Sequence, residues 1–243
     1  MTTLAENLAR LEDSIATACR QTGRNRSEVE LMAVSKTYPA ETLLEAQALG
    51  LNLFGENRVQ EFQNKAQPLT ELRAANSASL RVHLIGHLQS NKAARAAERF
   101  DGIDSVDSLR LAERLNEAAG KLNKRLPILL EVKLSREETK AGLDPESSEA
   151  AALLERLPDF AHLQALGLMT IAPWGVAEDV TRACFRSLRT WRDRWSGTYP
   201  RLNLNVLSMG MSGDFPLAIA EGATRIRIGT ALFGKRQPWT GPQ

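Results

Sequence analysis

The sequence predicts an α/β protein folded as a closed (β/α)8 TIM barrel with an extra helix at its N-terminus. Three observations lead there. Short apolar runs alternate with longer helical patterns along the chain, and strict alternation implies parallel strands joined by right-handed crossovers. Eight such runs occur in 243 residues, which is the arithmetic of an eight-unit barrel of about 250 residues. The rival, a doubly wound open sheet, usually has five or six strands and often a glycine-rich first turn. Neither GxGxxG nor a Walker-type phosphate loop is present.

The first element reads as a helix. Leu4, Leu8, Leu11, Ile15 and Ala18 recur at three- and four-residue spacing and share one stripe. Thr3 and Glu6 are spaced as a capping box, and Gly23 is a natural stop. The strand candidates follow at Leu31–Lys36, Leu51–Asn57, Arg81–Gly86, Gly102–Val106, Ile128–Leu134, Leu163–Ile171, Asn205–Met211 and Thr224–Gly229. Helical patterns lie between them at Ala40–Leu49, Val59–Ala74, Lys92–Arg99, Ser108–Lys121, Pro145–Leu157, Ala177–Trp195 and Phe215–Glu221. Little sequence follows the last strand. The helix within residues 1–23 is therefore expected to cover the gap that an eighth barrel helix would fill. Gln67–Ser79 reads as a polar insertion, and residues 235–243 as a turn-rich, flexible tail. No internal linker divides the chain, so one domain spanning 1–243 is expected.

Composition narrows the function. Hydrophobic residues at 43% and charged residues at 25% are ordinary globular values. Thirty-one basic against 29 acidic residues leave a net charge of +2, which gives no electrostatic case for nucleic acid or membrane as a partner. The two cysteines, Cys19 and Cys184, fit a reducing compartment. The N-terminus lacks the apolar core of a signal peptide, and no run approaches 18 apolar residues. A soluble cytoplasmic protein is expected. The segment 181–195 carries five arginines and two tryptophans. Its spacing favours an outer barrel helix burying Cys184, Leu188, Trp191 and Trp195 over a nucleic-acid stripe.

In a barrel, chemistry sits at the carboxyl ends of the strands. Strand parity puts Lys36 on the face of Met32 and Val34, the expected barrel interior. A lysine in a barrel mouth is either a desolvated imine former or a side chain that snorkels to the rim. The seventh strand ends in Ser208-Met209-Gly210-Met211-Ser212-Gly213, and the eighth in Gly229-Thr230. Small hydroxyl residues and glycines at these two strand ends suit a phosphate, as in many barrels. Parity aims Arg227 inward, where it needs an acceptor: an inward carboxylate such as Glu131, or a ligand. His83 shares parity with Ile85, so it faces either the pocket or the packed interior. His83 and His87 fit no metal-site pattern, because no third ligand is evident. A lysine facing a phosphate cup suggests an aldehyde that bears a phosphate, and pyridoxal 5′-phosphate (PLP) fits.

Seven ordered motifs carry a resemblance over Leu31 to Gly234: AVSKTYP (33–39), FGENRVQE (54–61), HLIGHLQSNK (83–92), EVKLSREETKAGL (131–143), LGLMTIAP (166–173), LSMGMSGDF (207–215) and RIRIGTALFG (225–234). On these the sequence resembles the pyridoxal phosphate homeostasis proteins, the YggS/PROSC-like family. The resemblance implies a barrel related to the N-terminal domain of alanine racemase, with PLP held as a Schiff base on Lys36. It implies that Ser208, Ser212, Gly229 and Thr230 hold the phosphate and that Arg227 faces the pyridine nitrogen. Asn57, His83 and Met169 fall in motifs lining the same mouth, and Lys140 corresponds to a family lysine proposed to handle PLP transfer. The departures are Tyr38, Lys133 and His87, none of which is a proposed Schiff-base or phosphate residue.

What the resemblance implies about function is a carrier or buffer of PLP in vitamin B6 and amino-acid homeostasis, with apo PLP-dependent enzymes as partners and a monomeric chain. The alternative is a weak PLP-dependent racemase or lyase. A third reading is a barrel that binds another phosphorylated metabolite. An arginine at the ring nitrogen keeps it unprotonated and weakens the ring as an electron sink. A racemase also needs two bases on opposite faces of the α-carbon. Barrel-sized length leaves no room for a second domain to supply one, so robust turnover is not expected.

Overall fold

A computed structural model of the protein describes residues 2–62, 65, 80–134 and 141–234. Eight parallel strands close into a barrel in chain order. They are β1 (Glu30–Val34), β2 (Leu53–Glu56), β3 (Arg81–Leu84), β4 (Gly102–Val106), β5 (Leu126–Glu131), β6 (Leu163–Met169), β7 (Val206–Ser208) and β8 (Arg225–Ile228). β8 returns to β1, with Arg227 beside Met32 and Ile228 beside Ala33. The eight expected strands and the alternating architecture are all present. The insertion Gln67–Ser79, the tail 235–243 and part of the helix expected at Val59–Ala74 lie outside the described residues.

The helices are α1 (Leu4–Gln21), α2 (Ala40–Ala48), α3 (Ala93–Arg99), α4 (Leu109–Lys121), α5 (Ser148–Arg156), α6 (Glu178–Thr198), α7 (Phe215–Ala220) and the short α8 (Thr230–Phe233). Residues 59–62 and 65 are also helical. Their apolar stripes cover the outward face of the strands, making the main core between shell and barrel. A second, smaller cluster lies inside the barrel, made of Met32, Val34, Leu53 and Ile85. Thus β1 does send its even-numbered residues inward.

Two expectations are met in detail. Thr3 caps α1 with the reciprocal Thr3–Glu6 bonds of a capping box. α1 also takes the place of a full eighth helix: Asn7 Nδ2 donates to the Leu232 carbonyl of α8 at 2.9 Å. Beyond its end, Arg24 Nη1 donates to the carbonyls of Ile219 and Ala223 at 3.0 and 2.8 Å.

The arginines of α6 serve the surface of the shell. Arg186 forms a paired contact with the buried Glu221, joined by Arg182 and Arg189. Arg192 meets Asp193, and Arg194 lies over the Trp191 ring. Cys184, Leu188 and Trp195 are buried beneath, and Trp191 partly so. No helix among the described residues is long and apolar enough to cross a membrane.

Ile15 is fully buried on α1, the helix that packs against α7 and α8. Ile15→Ala is expected to cost about 2–5 kcal/mol and to lower the thermal midpoint by roughly 5–15 °C. An unchanged midpoint would show that α1 is not part of the barrel shell.

Candidate functional site

A cavity of about 850 Å³ opens at the carboxyl ends of the strands. Lys36 and Asn57 line it after β1 and β2, and Ser212, Gly229 and Thr230 line it after β7 and β8, beside Arg227. Glu131 closes β5, which lies halfway around the eight-stranded ring from β1. The outer rim is apolar at the β6–α6 loop, where Trp174 is 92% exposed.

The backbone on both sides of Lys36 is fastened. Ser35 points away from the bore, and its hydroxyl donates to Glu56 Oε1 at 2.7 Å. Lys65 Nζ donates to the Ser35 carbonyl at 3.0 Å and to Glu56 Oε1 at 2.9 Å. All three residues are buried. Burial pushes the Glu56 carboxyl up, and Lys65 opposes that. On the other side, Thr37 adopts φ +71°, and its amide donates to Glu61. These bonds fix the turn that aims Lys36 into the mouth. Close approach does the same for Asn57: a Cβ on Gly86 would lie 2.2 Å from the Asn57 carbonyl oxygen.

Across β7 and β8, Ser212 Oγ accepts from the Ala231 amide at 3.3 Å, which ties the two loops together. Asp214 accepts from the Met211 amide and holds the first loop closed. A Cβ on Gly213 would meet nothing within 4 Å, so this wall is open. Arg227 is buried, with both terminal nitrogens bonded to neutral oxygens. Nη1 donates to Ser208 O at 2.7 Å and to Ser208 Oγ at 3.0 Å, and Nη2 to Thr170 O at 2.8 Å. Burial pulls its proton affinity down, against the pull of Asp104, Glu131 and Asp214.

Below the cavity runs a chain of ionisable groups, buried except for the part-exposed Glu30. Glu30 accepts from Arg225 at 2.8 Å, Arg225 donates to Asp104 at 3.0 Å, and Asp104 Oδ1 lies 2.8 Å from His83 Nδ1. Burial alone would raise the Asp104 carboxyl, but His83, then Arg225 and Arg227, hold it below its ordinary value. Gly102 makes room for the His83 ring, since a Cβ there would lie 2.5 Å from it.

The structure therefore brings Lys36, Asn57, Ser212, Arg227, Gly229 and Thr230 to one cavity. It does not bring the other three described candidates to the wall. His83 sits below on Asp104, Ser208 lies beneath Arg227, and Met169 is buried beside Ser208 in the β6–β7 register. Parity gives the face of a strand but not the depth in the bore, which strand tilt decides. Lys140 lies outside the described residues. No group of metal-binding side chains occurs among the described residues.

Glu131 carries a signal that sequence reasoning missed. Strand parity offers it only as an inward partner for Arg227, yet the guanidinium's bonds go elsewhere. The residue is 7% exposed, and its Oε2 has no hydrogen-bond partner. Burial, then the nearby Asp107, raises its pKa from 4.5 to about 7, against Arg227 and His87.

Residues 7–237 match the family model described as alanine racemase, N-terminal domain. The chain is 40% identical over 232 residues to the pyridoxal phosphate homeostasis protein of Aquifex aeolicus, covering 96% of this chain and 98% of the relative. The same named protein of Escherichia coli is 40% identical over 238 residues, covering 97% and 98%. The chain belongs to the pyridoxal phosphate homeostasis protein family. PipY of Synechococcus elongatus, solved with PLP bound, superposes with a TM-score of 0.82 at 45% identity, covering 96% of this chain and all of that one. Alanine racemase of Clostridium difficile shares the fold at a TM-score of 0.72 and 15% identity, with 97% of this chain matching 57% of that one.

The unpartnered Glu131 oxygen has a measurable cost. Its folded-state pKa lies above the ordinary value, so ionisation favours unfolding. The cost is absent below pH 4.5, grows through the window to 7 and is complete above it. Glu131→Gln is therefore expected to raise unfolding stability by about 3 kcal/mol at pH 8 and to change it little at pH 4. Equal effects at both pH values would rule out a titrating, unsatisfied carboxyl.

Proposed function

We propose that the chain binds pyridoxal 5′-phosphate through Lys36 and carries or buffers it for intracellular vitamin B6 and amino-acid homeostasis. One observation carries the reading. A lysine on a fastened turn and an open wall of Ser212, Gly229 and Thr230 share one cavity, with the buried Arg227 between them. The names of the relatives and the PLP-bound PipY structure support it. PLP supplies a phosphate and an aldehyde that condenses with a primary amine. Lys36 would form that bond, and the β7–β8 loops would take the phosphate on hydroxyl and amide donors. Arg227, held by three bonds to neutral oxygens, would present its charge to the ring nitrogen and so oppose its protonation.

That last point favours a carrier over the second reading, a weak racemase or lyase, because an unprotonated ring is the poorer electron sink. The proposal extends to residues 1–243 acting as one cytoplasmic, monomeric barrel unit that serves apo PLP-dependent enzymes.

Purified protein mixed with PLP is expected to show a visible band that Lys36→Ala abolishes. A band surviving in Lys36→Ala would defeat the assignment of Lys36. Racemisation of amino acids by the loaded protein is expected to stay within a few-fold of free PLP, and turnover far above that would favour the enzyme reading.

Arg227→Glu places an acid where the ring nitrogen is expected, so the band should shift in position and in its pH dependence. An unchanged spectrum in a folded variant would show that Arg227 does not meet the ring.

A further inference from the structure

We propose that Glu131 receives the proton of an incoming primary amine, so that the cavity takes a second ligand, a protonated primary amine, facing Lys36. The inference rests on the PLP reading and extends it to the chemistry of release. A carbonyl compound held as an imine leaves a lysine in one of two ways, by water or by exchange with another primary amine. An amine of ordinary basicity, near pKa 10, arrives protonated at neutral pH. It has no lone pair to attack with until it gives that proton up.

The cavity contains a group suited to take it. Glu131 stands on β5, halfway round the barrel from the strand that leads to Lys36. It lines the cavity, and its Oε2 lies buried without a hydrogen-bond partner. Leaving a buried carboxyl oxygen unbonded is costly, so a site that keeps one has a use for a donor. The charged groups acting on Glu131 are Asp107, Arg227 and His87, and His87 is itself bonded to Asp107 at 3.2 Å. Arg227 is already committed to Ser208 and Thr170. A carboxyl titrating near neutrality is a matched proton acceptor at working pH.

With the carbonyl compound bound, the ammonium would give one proton to the Glu131 carboxylate, and the freed lone pair would add to the carbon of the C=N bond. The amine's two remaining protons would pass to the Lys36 nitrogen as its bond to that carbon breaks and a C=N bond forms to the incoming nitrogen. Glu131 would release its proton to water, and the Lys36 nitrogen would take a third from water, so one ammonium is consumed and one is formed.

The test compares two amines on PLP-loaded protein at neutral pH, following loss of the visible band. Ethanolamine is protonated, whereas hydroxylamine is mostly free base and needs no acceptor. Glu131→Gln is expected to slow release by ethanolamine about tenfold or more and to leave release by hydroxylamine within about twofold. Equal slowing of both, or of neither, would overturn the proposal. A third arm uses an apo PLP-dependent aminotransferase as acceptor. Slowing there as well includes protein lysines among the amines, whereas no slowing restricts the source to free amines.

A readout independent of PLP is the carbon-13 signal of the Glu131 carboxyl in apo Lys36→Ala protein. Ethanolamine is expected to lower its titration midpoint, because a neighbouring ammonium favours the carboxylate. An identical titration with and without ethanolamine would overturn the amine site. If the wild-type protein forms no visible band with PLP, the cofactor reading fails, and this titration still decides whether Glu131 meets an amine.

Discussion

Two arginines in the bore of a barrel impose a requirement on everything around them. A buried guanidinium must find acceptors, and here β8 supplies two of them in succession, Arg225 and Arg227. Arg225 is satisfied by carboxylates, Glu30 below and Asp104 across the bore. Arg227 is satisfied by neutral oxygens of β7 and of Thr170. The difference separates the lower bore from the mouth. Where carboxylates meet arginine, the charges close on themselves and the interior is sealed with the help of His83. Where only neutral oxygens meet it, one positive charge remains directed at the cavity. A phosphate-bearing, nitrogen-containing ring is the kind of ligand such an interior would orient.

The same division of labour holds outside the strands. Glu56 and Lys65 are a buried ion pair between strand and shell, at a site where apolar packing would be simpler. What the pair adds is direction: it holds the Ser35 carbonyl and hydroxyl, and so the peptide preceding Lys36. Lys36 projects from a turn whose flanks are bonded to the carboxylates of Glu56 and Glu61. The loops at β7 and β8 are linked to each other instead, through Ser212 and Ala231.

Much of this was legible in the sequence. Alternating runs of apolar residues located all eight strands, because parallel barrel strands are buried on both faces and stand out from their connections. Parity on β1 and β8 correctly turned Met32, Val34 and Arg227 inward. Depth was not legible. His83, Met169 and Ser208 lie on the correct strands but not on the cavity wall, since parity fixes a residue's face and not its height along the bore. The pairs Asp104–Arg225 and Glu56–Lys65 join residues distant in the chain or on different layers, so spacing alone does not reveal them. Arg225 had a signal, sharing parity with Arg227. Glu131 had the right position, but its missing partner is a property of the assembled cavity.

Gly86 contributes no functional group, yet the path of the chain at Asn57 depends on it. A methyl group there has no room beside the neighbouring carbonyl, so one strand end or the other would have to retreat from the mouth. Residues of this kind are invisible to any search for reactive side chains. Transplanting the lysine, the hydroxyls and the arginine onto another barrel would copy the donors and leave behind the empty space that lets two backbones touch.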